Sequence, residues 1–228
     1  MATNIRRATR PEAGDQARTK APDRPNRKAS AILSAARGLF LERGFDTITM
    51  DMVTRESGVS KATLYVHFNS KEELFNAVLG EEARRITDEV WKAAEAEKDD
   101  NEDVDAVLRR VARNFIDIFL TERTIVMLRA VIGALPHFPE LGRTIFDAGP
   151  KILTERLAGF LAAAHDRGAL HVPNAELAAR QFLSLVRGDI DLRGILSLDL
   201  PTPAEIDEQI VTGIALFKRF HSLPRREG

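Results

Sequence analysis

The segment from Thr47 to Phe75 constrains this chain more than any other part of it. It reads TITMDMVTRESGVSKATLYVHFNSKEELF, two short helical patterns joined by a turn at Gly58. The second pattern carries hydroxyls, a lysine, a tyrosine and a histidine on one side, whereas Leu64 and Phe68 occupy the other side. A helix divided in this way can pack on a core with one face and lie in a DNA groove with the other. The segment therefore predicts a helix-turn-helix.

The charge of the chain is unevenly distributed. Residues 1–71 hold 13 Lys and Arg against 7 Asp and Glu, whereas residues 72–228 hold 20 against 27. The basic part coincides with the predicted helix-turn-helix, and a basic surface favours contact with phosphates. We therefore expect double-stranded DNA as a partner of the N-terminal part. The acidic remainder of the chain disfavours contact with the DNA phosphates.

Composition excludes several other classes of protein. Apolar residues make up 44% of the chain, which is ample for a buried core. Cysteine is absent, which excludes disulfides and thiolate chemistry and fits a reducing cytosol. No apolar run approaches the roughly 18 residues of a membrane span, and the N-terminus lacks the apolar core of a signal peptide. We expect a cytoplasmic protein with no membrane span, no metal and no cofactor.

Helical periodicity continues beyond the helix-turn-helix, and no alternating strand pattern competes with it, so we predict an all-α protein. Residues 1–27 cannot bury an apolar face and are predicted to form a disordered basic arm, which can follow the minor groove or act as a non-specific tether. A first helix is expected over residues 28–43. After the helix-turn-helix, helical patterns run roughly over 71–97, 102–120, 123–135, 139–147, 150–167, 174–197 and 203–221.

The predicted recognition helix presents the candidate DNA contacts. Lys61 can reach guanine or a phosphate, and Thr63 and Tyr65 can donate to phosphate oxygens. Thr49 and Lys71 lie at the starts of the flanking helices, where the helix dipole favours an anion. Each residue alone has an ordinary structural role as its alternative, so the ordered set carries the prediction. The candidate DNA-binding residues are Thr49, Ser60, Lys61, Ala62, Thr63, Tyr65, His67 and Lys71.

Several short motifs resemble the N-terminal signature of the TetR family of bacterial transcriptional regulators: Gly44-Phe45, Thr49, Ser57-Gly58-Val59-Ser60, Thr63-Leu64-Tyr65, His67-Phe68 and Ser70-Lys71-Glu72. The resemblance implies an all-helical homodimer with a three-helix DNA-binding domain and a larger ligand-sensing domain. It also implies a repressor that a small hydrophobic effector releases from a palindromic operator. The chain differs from the commonest family pattern at Thr54, Ser57 and Ala62, and Ala62 in place of a frequent glycine can alter base preference.

Residues 127–194 resemble the C-terminal domain of AefR-like members of the family. We therefore predict a DNA-binding domain over residues 28–75, a ligand-sensing and dimerisation domain over 76–222, and a tail over 223–228. A sensor needs a cavity with a few polar groups, and the candidate lining residues are Phe115, Phe119, Met127, Val131, His137, Phe138, Phe146 and Phe160. Apolar positions on the last two long helices predict the dimer interface: Phe182, Leu185, Val186, Ile190, Ile210, Ile214 and Phe217.

Two alternative functions stay open from the sequence. The first is a DNA-binding helical protein that has no effector, which would lack an internal cavity. The second is a helical enzyme, although the sequence contains no nucleophile elbow, no phosphate loop, no Gly-x-Gly-x-x-Gly motif and no pair of histidines at metal-ligand spacing. We therefore expect a regulator and not an enzyme.

Overall fold

The computed structural model describes residues 27–95 and 103–222. Within these ranges the chain forms eleven α-helices and no strand, which confirms the predicted all-α class. The arm predicted over residues 1–27 lies outside the described residues except for Arg27, which is the first residue of α1, and the tail over 223–228 also lies outside them. The helices are α1 Arg27–Arg43, α2 Met50–Ser57, α3 Lys61–His67, α4 Lys71–Glu95, α5 Val104–Phe119, α6 Glu122–Ala134, α7 Glu140–Ala148, α8 Pro150–Asp166, α9 Ala175–Arg187, α10 Ile190–Ile195 and α11 Pro203–Phe220.

Side-chain caps explain where many of these helices begin. Thr49 accepts a hydrogen bond from the Met52 amide at the start of α2, and Thr202 forms a full capping box with Glu205 at the start of α11. Each cap satisfies amide groups that have no partner within the helix. None of the helices in the described ranges is both long and apolar enough to cross a membrane.

The predicted single helix over 174–197 is wrong, because the chain breaks it into α9 and α10 at Gly188. This residue has φ 55° and ψ −129°, a conformation that only glycine adopts readily. A Cβ atom there would also lie 3.3 Å from the side-chain amide of Gln209. The apolar periodicity runs through the break, so the sequence pattern does not reveal it.

Two apolar clusters organise the molecule. One lies among α5, α8, α9 and α11, and the other joins α1–α4 to α6 and α7. The rings of Phe45, before α2, and Phe138, before α7, are 4.9 Å apart in the second cluster. Helices α1–α4, which include the predicted helix-turn-helix, therefore share a continuous core with α6 and α7.

The structure corrects the residues predicted for the dimer interface. Leu185 is partly buried, and the other six lie inside the core of their own chain: Phe182, Val186, Ile190, Ile210, Ile214 and Phe217. Apolar spacing identified a buried face of each helix, and that face packs within the protomer. The exposed large apolar side chains of α9 and α11 are Leu177 on α9 and Val211, Leu216 and Phe220 on α11.

Candidate DNA interface and effector cavity

The turn between α2 and α3 fixes the orientation of the recognition helix. Gly58 ends α2 with φ 69°, a left-handed conformation in which glycine is favoured. Ser60 then caps α3 by accepting a hydrogen bond from the Thr63 amide at 3.2 Å. Leu64 is fully buried against the core, so the opposite side of α3 faces solvent. This is the arrangement that a groove-reading helix requires.

The polar side chains of this outer face are partly held by neighbours. The hydroxyls of Ser60 and Thr63 are hydrogen-bonded to each other at 2.9 Å. Nζ of Lys61 lies 2.8 Å from the Asp51 carboxylate on α2. The hydrogen bond and the charge of Asp51 raise the pKa of Lys61 above its ordinary value. Lys61 is thus tethered to α2 while it remains exposed to solvent.

Ala62 and Tyr65 are also exposed on α3, whereas His67 is half-buried at its end. Sequence reasoning missed Val66, which is 81% exposed. Its position one turn after Ala62 and away from Leu64 could have identified it, since residues i and i+4 share a helix face. The structure places Lys61, Ala62, Tyr65 and Val66 on the exposed side of α3, whereas Thr63 and His67 are partly buried.

Thr49 and Lys71, which are expected to bind anions at the starts of α2 and α4, also have partners within the protein. Thr49 uses its hydroxyl oxygen to cap α2. Lys71 donates from Nζ to the Phe45 carbonyl at 3.0 Å and lies 4.0 Å from the centre of the Phe45 ring. At the start of α4, the Ser70 hydroxyl accepts a hydrogen bond from the Glu73 amide. Hydrogen bonds from its own backbone amide and from the Ser70 hydroxyl lower the pKa of the Glu72 carboxylate. The phosphate role of Lys71 stays a prediction.

A cavity of about 450 Å³ lies within the helical body, a size that suits a small-molecule ligand. Most of its wall is apolar, with side chains from α4, α5, α6, α7 and α8. Hydroxyls of Thr87, Thr124, Thr154 and Ser184 add polar groups. Charged lining side chains come from α9 and α10, and these are Arg180, Arg187 and Asp191.

Half of the predicted cavity residues line this space, namely Phe115, Phe119, Met127 and Phe146. The structure corrects the other four. Val131 and Phe138 pack in the core shared with the DNA-binding helices, His137 is exposed in the turn after α6, and Phe160 lies under the guanidinium of Arg167 at 5.7 Å. Sequence reasoning also missed the α4 wall, because periodicity shows that a position is buried without showing whether it faces a core or a cavity.

Helix α4 connects this cavity to the DNA-binding helices through Glu82, which is 1% exposed. Glu82 accepts a hydrogen bond from Arg123 of α6, and Arg37 of α1 lies near its second oxygen. Burial lowers the pKa of Arg123, but the hydrogen bond and charge of Glu82 outweigh this effect and raise it. The next residues, Ala83 on α4 and Thr124 on α6, line the cavity. The ion pair therefore lies between the cavity wall and α1.

Comparisons with known proteins assign both parts of the chain. Residues 32–78 match the model of bacterial regulatory proteins of the tetR family. Residues 106–221 match the model of the C-terminal domain of AefR-like transcriptional repressors. The chain is 28% identical over 189 residues to the HTH-type transcriptional repressor BepR of Brucella suis. The aligned region covers 80% of this chain and 88% of BepR.

Solved structures agree with these matches. The flavonoid-responsive regulator FrrA has a TM-score of 0.72 and 33% identity, covering 87% of this chain and 98% of FrrA. A TetR-family regulator from Mesorhizobium loti has a TM-score of 0.78 at 22% identity, covering 86% of this chain and 98% of that one, which supports the fold. These relatives are transcriptional regulators and not enzymes. The chain belongs to the TetR family of bacterial transcriptional regulators.

Proposed function

We propose that this protein is a homodimeric repressor that leaves a palindromic operator when an aromatic effector enters the cavity of each chain. The observation that carries the proposal is the shared use of α4. This helix begins at the DNA-binding domain and supplies Ala83, Ile86, Thr87 and Val90 to the cavity wall. A ligand that shifts α4 therefore acts on the orientation of the DNA-binding helices.

The lining of the cavity supports an aromatic effector that carries hydroxyl or carbonyl groups. Phe115, Phe119 and Phe146 offer ring faces and edges for stacking. The threonine and serine hydroxyls can pair with polar groups on the ligand. The similarity to FrrA, which is described as flavonoid-responsive, makes flavonoids the first class of compound to test. The cavity also favours an effector-responsive regulator over a DNA-binding protein without a ligand.

The coupling step follows from the position of Glu82. An effector between α4 and α6 changes the distance between these helices, and Glu82 and Arg123 form an ion pair between them next to the cavity. We propose that this change reaches Arg37 and turns α1 with the rest of the DNA-binding domain. An effector acts in this way only if it binds one arrangement of the helices more tightly than the other.

One experiment tests the function as a whole. An operator is selected from a random duplex library with the full chain, and the protein–operator complex is then titrated with a panel of flavonoids and with aliphatic acids of similar size. We expect aromatic compounds to release the operator. A variant with Thr154→Trp, which places a bulky side chain in the cavity, should bind the operator normally and resist release. Binding of random and selected duplexes with equal affinity would contradict sequence-specific regulation.

A further inference from the structure

The centre of the outer face of α3 is apolar. Val66, at 81% exposed, is more exposed than any other large apolar side chain in the described part of the chain. Ala62 lies one turn before it, and Tyr65, which is 42% exposed, lies beside it. Positions i, i+3 and i+4 share a helix face, so these three side chains form one apolar patch opposite the buried Leu64.

The polar groups around this patch already have partners within the protein. Lys61 pairs with Asp51, and Thr63 is hydrogen-bonded to Ser60. Lys61 and the three side chains of the patch are all exposed to solvent, but Val66 has no hydrogen-bonding group to offer on this face. Apolar contacts to base edges are one of the two direct ways in which a protein reads DNA sequence, and this patch is the part of α3 that can make them.

We propose that Val66, together with Ala62 and Tyr65, reads the C5-methyl groups of thymines in the operator. The major groove offers hydrogen-bonding groups on every base pair, and a methyl group only on thymine. A valine side chain has no hydrogen-bonding group, so the thymine methyl is the base feature that it favours. The inference rests on the proposed binding of an operator and extends it to the base that the recognition helix selects.

Deoxyuridine provides the test, because it differs from thymidine only in lacking the methyl group. Each thymine of the selected operator is replaced by deoxyuridine in turn, and affinity is measured at fixed salt. We expect symmetrical positions in the two half-sites where one replacement weakens wild-type binding about four-fold, the effect of removing one methyl group from a dry contact. The variant Val66→Ala should bind the intact operator several-fold more weakly and lose its sensitivity to deoxyuridine at those positions.

A matched control is Val211→Ala, which shortens another exposed valine, on α11, and should leave both measurements unchanged. Equal sensitivity of wild type and Val66→Ala to every deoxyuridine would overturn the inference and leave operator binding intact. A wild-type protein that is insensitive at every thymine would also overturn it, and this measurement does not depend on any variant. If the full chain enriches no duplex from the library, the proposal of operator binding is itself contradicted, and the inference about thymine falls with it.

Discussion

Oε2 of Glu82 lies 3.6 Å from Nη1 of Arg37, a distance that fits an ion pair but is too long for a hydrogen bond. This oxygen is buried and has no hydrogen-bond partner among the described residues. A buried polar atom in this condition is costly, and a small rotation of α1 would provide it with a donor. A change in the orientation of α1 would therefore alter this contact, which is the contact that the proposed coupling uses.

Replacing Glu82 by glutamine should destabilise the protein. The variant leaves the guanidinium of Arg123, which is only about one-third exposed, without its main charge partner. We expect the free energy of unfolding in urea to fall by about 1–3 kcal/mol, below the range for fully buried pairs. The control is Glu89→Gln, which removes a more exposed partner of the same arginine at 3.5 Å and should cost less than about 1 kcal/mol. Equal losses in the two variants would contradict the central role of Glu82.

The exposed side of the last helix should control dimerisation. Leu216 and Phe220 border an apolar groove between α9 and α11, and Leu216 is 54% exposed in the single chain. Replacing Leu216 by glutamate places a charge in the proposed interface and should convert dimers to monomers in analytical ultracentrifugation. Val211→Glu is the control, because Val211 is similarly exposed at 50% but lies on the side of α11 that faces α5. Dissociation by Val211→Glu and not by Leu216→Glu would place the interface on that other side.

The sequence predicted the helices well where local chemistry marks their ends, as at Thr49, Ser60 and Thr202. It also predicted the outward polar residues of α3, because Leu64 fixes which face is buried. It did not predict whether an apolar helix face is covered by the same chain or by a second chain. Phe182 and Phe217 looked like dimer contacts, yet they pack on each other within the chain with ring centres 5.2 Å apart. Periodicity gives the direction of burial, whereas tertiary packing decides what fills the space.

Two glycines should respond in opposite directions to alanine. Gly188→Ala forces a side chain into a positive-φ conformation and against Gln209, so we expect a loss of about 1–3 kcal/mol in unfolding free energy. Gly159 lies inside α8, and a Cβ atom there would meet nothing within 4 Å. Gly159→Ala should therefore stabilise the protein by about 0.5–1 kcal/mol through its higher helix propensity. A neutral Gly188→Ala would show that the break between α9 and α10 tolerates a side chain.

The contact between Lys71 and Phe45 should stabilise the DNA-binding domain independently of DNA. Lys71→Met removes both the hydrogen bond to the Phe45 carbonyl and the cation–π contact with its ring. We expect a loss of about 1–2 kcal/mol in unfolding free energy, compared with little change for the exposed Lys92→Met. The salt dependence of operator binding separates the two roles of this lysine. A slope reduced by about one would show that the ammonium group exchanges the carbonyl for a phosphate.

The free energy of unfolding should fall at acid pH as Asp105 becomes protonated, because the carboxylate of this α5 residue binds Lys218 of α11. Its carboxylate accepts hydrogen bonds from Lys218 at 2.9 Å and from Arg109 at 2.5 Å, and these hold the pKa of Asp105 below its ordinary value. A lowered pKa in the folded state means that the stabilisation is complete above the unfolded pKa of about 3.9 and is lost as pH falls through the folded value.

At pH 7 the variant Asp105→Asn should therefore be less stable than wild type by about 0.5–1 kcal/mol, since solvent screens its partners Lys218 and Arg109, which are 41% and 47% exposed. This difference should shrink below about pH 4, as the wild-type carboxylate becomes protonated. Urea unfolding at a series of pH values measures it, with Asp117→Asn as the control for an exposed carboxylate on the same helix. A difference that stays constant between neutral and acid pH would mean that Asp105 stabilises the fold by its shape and not by its charge.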